Sequence, residues 1–71
     1  MTYRQVVSIL ERHGFVFERH GKGSHRVYQA HHSGQRWSVT LSYSQLGEDV
    51  KPGTLGSIIR QSGLPRDAFR R

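Results

Sequence analysis

The sequence predicts an α+β domain of order α-β-β-β-α, a three-stranded antiparallel sheet with two helices on one face. Three observations carry this. Apolar residues recur at helical spacing only near the two ends of the chain. Between them lie three runs rich in strand formers, separated by glycine-containing turns too short for a crossover. Each end segment carries one apolar stripe, and both stripes need the same sheet face to be buried.

The first helix is predicted over residues 3–13. Thr2 and Gln5 have the spacing of a capping box, Tyr3, Val6 and Leu10 form the apolar stripe, and Gly14 suits the position after the last turn. His13 complements the dipole at the helix end. Residues 15–20, from Phe15 to His20, read as the first strand, and 20–23 as a turn. The second strand is predicted over 24–30 with an ambiguous phase, since Val27 lies on one face and Tyr28 and Ala30 on the other. His31-His32-Ser33-Gly34 reads as the next turn. Residues 36–41 alternate cleanly, with Trp37, Val39 and Leu41 on the buried side. Residues 42–49 read as a polar loop. Pro52 opens a second helix, whose stripe is Leu55, Ile58 and Ile59. Gly63 and Leu64 fit a Schellman ending, and Pro65 blocks continuation. Residues 66–71 form a short amphipathic tail, with one turn around Phe69.

Seventy-one residues make one domain, 1–71, with a small core. Absence of cysteine excludes disulfides and thiolate metal sites. The longest apolar runs are too short to cross a membrane and no signal-peptide core is seen, so a cytoplasmic location is expected. The charge balance is 11 Lys+Arg against 5 Asp+Glu, a net +6. Arginine dominates, and its planar fork suits phosphate oxygens. A basic domain of this size meets nucleic acid or an acidic protein partner.

The stretch richest in chemistry is His20-Gly21-Lys22-Gly23-Ser24-His25-Arg26-Val27-Tyr28. Gly21 and Gly23 allow backbone N–H groups to approach a ligand closely, and Lys22 adds a positive charge. His25 stands where turn becomes strand, and imidazole suits proton transfer because its unperturbed pKa lies near ~6.5. Spacing alone favours a strand histidine with a structural hydrogen bond. Ser24 fits either a phosphate donor or a local turn bond. His31-His32 lacks the further ligands that a metal site needs, and no metal or cofactor is expected. Tyr43 is the better base-stacking candidate, whereas Trp37 belongs to the core or to a protein interface.

Arg12-His13-Gly14-Phe15, Lys22-Gly23-Ser24-His25, and Val50-Lys51-Pro52-Gly53-Thr54-Leu55 followed by Ile58 and Gln61-Ser62-Gly63-Leu64 together resemble the HicA toxin family over nearly the whole chain. The resemblance implies a fold like a double-stranded-RNA-binding domain and an mRNA-cleaving toxin of a bacterial type II toxin–antitoxin pair. It implies a HicB-type antitoxin as partner, and it places the family's essential histidine on His25. Lys22, Gly23, Ser24 and Arg26 are then the expected phosphate-binding residues. Many relatives carry a second histidine directly after the first, where this chain has Arg26. Two other readings share the fold: a module that holds RNA without cutting it, and an interaction protein for an acidic partner.

Overall fold

A computed structural model describes residues 1–70 of the chain. The element order is α1 (Tyr3–Arg12), β1 (Val16–His20), β2 (His25–His32), β3 (Gln35–Ser42) and α2 (Pro52–Ser62), followed by a 3₁₀ turn (Arg66–Phe69). The sheet is antiparallel in the order β1-β2-β3. This is the expected α-β-β-β-α architecture, like a double-stranded-RNA-binding domain. Arg71, the last residue of the expected tail, lies outside the described residues.

The capping box forms as the sequence implies. Thr2 Oγ1 accepts from the Gln5 N–H, and Gln5 Oε1 accepts from the Thr2 N–H. At the other end of α1, His13 Nδ1 donates to the Ile9 carbonyl, filling one of the acceptors that a helix end leaves open. Gly14 takes φ +88°, and the chain turns into the sheet.

One face of the sheet meets both helices. Tyr28 and Ala30 of β2 sit opposite Val39 and Trp37 of β3, and their side chains join Val6, Ile9 and Leu10 of α1 and Ile58 and Ile59 of α2 in one core. Phe69 is buried in the same core, so the 3₁₀ turn closes its end. The ambiguous phase of β2 has a simple cause: Val27 is buried as well, on the opposite face.

Several boundaries differ from expectation, among them the close of α1 at Arg12 and a one-residue extension of β3 at each end, which takes Ser42 out of the loop. Phe15 is in the core but outside β1, which starts one residue later. β2 continues through His31 and His32, which are not turn residues. The turn is only Ser33-Gly34, both with positive φ (53° and 74°), the geometry of a two-residue type I′ hairpin. His32 lies on the core side, stacked on Trp37 at 5.2 Å between ring centroids, with Nε2 3.1 Å from the Ser62 carbonyl. His31 lies on the other face, so the two rings diverge. Finally, α2 does end in a left-handed Gly63, but Leu64 N–H donates to Ser62 Oγ, where a Schellman motif has a backbone acceptor.

The two sheet edges are unlike. On β3 the Thr40 N–H that faces outward is met by Gln61 Oε1 of α2 at 3.0 Å. On β1 the edge is open, and the register shifts between Phe17 and Arg19, the mark of a bulge at Glu18.

Candidate active site

The β1–β2 turn is held by two backbone bonds, Gly21 N–H to His25 O at 2.9 Å and His25 N–H to Lys22 O at 3.2 Å. Gly23 needs its glycine for φ +66°. Gly21 needs its own for space: a Cβ there would stand 3.0 Å from His25 Cβ. The turn amide of Gly21 is therefore spent on folding, not free for a ligand. The amides of Lys22, Gly23 and Ser24 have no hydrogen-bond partner among the described residues.

Lys22, Gly23, Ser24 and His25 are all exposed. His25 pairs with Ser42 across β2 and β3, and both residues line a groove of about 580 Å³ between the sheet and α2. Thr40 continues the sheet wall. Thr54, Ser57 and Gln61 form the helix wall, and Tyr3 and Ile58 lie at its base. Lys51, Glu48 and Asp49 close one end. Ser24 Oγ and Ser42 Oγ are 3.1 Å apart, so the turn is tied to the groove rim beside His25. Burial, and secondarily the charge of Glu48, push the Tyr3 phenol upward, which keeps it protonated and neutral.

The structure does not bring Arg26 together with the other four residues. It lies on the core-facing side of β2, opposite Leu41, and so points away from His25. Its Nη1 donates to the carbonyls of Ser24 at 2.7 Å and Tyr43 at 2.5 Å, and its guanidinium stacks 4.0 Å from the Tyr43 ring centroid. Tyr43 itself is a correction. Expected as an exposed stacking platform, it is buried, with its ring 5.0 Å from that of Tyr3. Trp37 packs against the core, consistent with the strand phase.

Sequence reasoning missed Ser42, Ser57 and Gln61. The polar phase of β3 marks Thr40 as core-averse, but only the fold brings α2 alongside. The loop that follows β3, residues 43–49, is ordered by Glu48, whose carboxylate accepts the Ser44 and Gln45 N–H groups. Those two bonds hold its pKa below the usual glutamate value.

Fold and site define a small, basic domain, folded like a double-stranded-RNA-binding domain, with an exposed histidine beside a cationic glycine turn. A sequence model described as "HicA toxin of bacterial toxin-antitoxin" matches residues 3–64, and the chain belongs to that family. It is therefore the toxin component of a toxin–antitoxin pair. No curated protein and no solved structure matches the chain significantly. Among the described residues, no helix is long and apolar enough to cross a membrane.

Proposed function

We propose that this chain is an endoribonuclease that cleaves mRNA through His25 without a metal, and that a HicB-type antitoxin silences it. One observation carries the reading: the His25 ring is exposed at the head of a groove, directly beside a turn bearing Lys22 and unspent backbone amides. Membership in a toxin family supplies the context.

RNA carries its own nucleophile. The 2′-hydroxyl oxygen attacks phosphorus, the bond to the 5′-oxygen breaks, and a cyclic phosphate and a 5′-hydroxyl result. The attack releases one proton and the leaving oxygen takes one up. His25 serves one of these transfers as general base or acid, and water serves the other, which makes the enzyme slow relative to two-histidine ribonucleases. Lys22 and the amides of Lys22, Gly23 and Ser24 hold the phosphate where negative charge develops. Ser24 contributes its hydroxyl at the groove rim. Arg26 acts in this reading from behind, by holding the turn and adding positive potential.

The antitoxin inhibits by covering His25 with an acidic surface complementary to the net +6 charge. The decisive experiment is cleavage of RNA by the purified, chelator-treated protein. The wild type cuts, His25→Ala loses cutting by about 10²-fold or more while RNA binding survives, and added antitoxin stops the wild type. Equal cutting by His25→Ala ends the assignment. Binding without any cutting by the wild type leaves a non-catalytic RNA module.

A further inference from the structure

His25 and the cationic turn account for one phosphate, and the groove beside them has chemistry of another kind. Its two long walls are uncharged apart from His25: Thr40 and Ser42 on the sheet side, Thr54, Ser57 and Gln61 on the helix side. Charge appears at the end beside Ser42, where Glu48 and Asp49 outnumber Lys51. Two carboxylates against one ammonium disfavour a second phosphate there. Neutral hydrogen-bonding groups over a partly apolar base instead suit a neutral polar ligand, and the volume falls within the range of small-molecule sites.

Gln61 sharpens this. The Thr40 N–H must meet an acceptor, which turns Gln61 Oε1 toward it at 3.0 Å. Gln61 Nε2 then donates to Ser57 Oγ at 3.0 Å. These two bonds fix the amide plane and leave one Oε1 lone pair and one Nε2 hydrogen unspent. The Thr54 hydroxyl makes no hydrogen bond among the described residues. A fixed donor and acceptor side by side match the edge of a nucleobase, whose own donors and acceptors alternate.

The geometry points to a nucleoside subsite: the groove takes the base and ribose of the RNA residue adjoining the scissile phosphate, with Gln61 and Ser57 reading the base. This rests on His25 being the centre of a ribonuclease. Because the base must leave any duplex to offer its edge, the substrate is unpaired at that residue. Nuclease specificity would then reside in α2, far in sequence from the histidine.

The test uses the full chain and a pool of RNAs with all four bases at each position flanking the cut, with cut sites mapped by sequencing. Wild type, Ser57→Ala, Thr54→Val and Gln61→Glu are compared. Gln61→Glu retains the acceptor for Thr40 N–H but removes the donor. The wild type shows a base preference at one flanking position, and Gln61→Glu and Ser57→Ala change that preference by about tenfold, with melting temperatures near wild type. Ser57→Ala, which leaves Thr40 capped, decides the matter if Gln61→Glu unfolds. An unchanged preference in variants that still cut overturns the subsite while leaving His25 in place. RNA left intact by the wild type overturns the ribonuclease reading and the subsite together.

Discussion

At the scale of single residues, Arg26 shows how a charge can serve a site without facing it. Its guanidinium joins the carbonyl of Ser24, just before His25, to that of Tyr43, just after Ser42. His25 and Ser42 are themselves paired, so the arginine clamps both strands immediately behind the groove head. Hydrogen bonds from charged donors contribute about 1.5–3 kcal/mol. Arg26→Ala is therefore expected to lower stability in urea by about 1–3 kcal/mol and to slow RNA cleavage, with Arg26→Lys recovering only part of both. Glu48 acts similarly on the neighbouring loop. Its pKa is depressed below 4.5 in the folded chain by the Gln45 and Ser44 N–H groups. The stability it adds is thus complete above about pH 4.5 and is lost as pH falls through the lower folded value. Denaturation midpoints measured down a pH series should fall less steeply for Glu48→Gln than for wild type.

At the scale of elements, the end of α2 is the tightest fit. Gly63 takes φ +67°, and a Cβ there would meet the Trp37 ring at 2.7 Å. Gly63→Ala combines backbone strain with overpacking, a cost of about 2–4 kcal/mol. Thermal melting should show the loss, and a smaller side chain at Trp37 should restore only the steric part. The helix, with its left-handed glycine, was legible because stripe, Pro52 and Gly63 agreed. So was β3, whose alternation survives in the burial of Val39 and Leu41. The hairpin ending β2 was legible in place but not in length, because Ser33-Gly34 lacks the asparagine or aspartate that usually marks a type I′ turn. Histidines at 31 and 32 then looked like loop residues, whereas packing on Trp37 makes one of them part of the core edge. Tyr43 was misplaced for a related reason: residues 42–49 look polar as a run, but one aromatic within it turns inward.

At the scale of the whole molecule, the net +6 charge is spread over a domain whose acidic residues are mostly engaged. Glu18 pairs with Arg19 and Arg36, Asp67 pairs with Arg70, and Glu48 is bonded to its own loop. RNA binding should therefore weaken steeply as salt rises, and Lys22→Ala should reduce the logarithmic salt slope by about 1, as measured by titration at several ionic strengths. Charge and the glycine turn were visible in the sequence, and so was His25. The groove was not, because it joins residues 25, 40 and 42 to residues 54, 57 and 61, and no local pattern encodes that meeting.

The contrast between the two flanks of the sheet bears on how the protein behaves alone. On one flank Gln61 caps the Thr40 N–H that an incoming strand would use. The other presents Val16 and Phe17, 53% and 47% exposed, the large apolar side chains most open to water among the described residues. Left flat, such a border templates sticking between molecules. The extra residue Glu18 twists it away after two positions and sets a charged pair next to it. A small, cationic domain with a greasy margin thus carries its own guard against self-aggregation while no partner covers it.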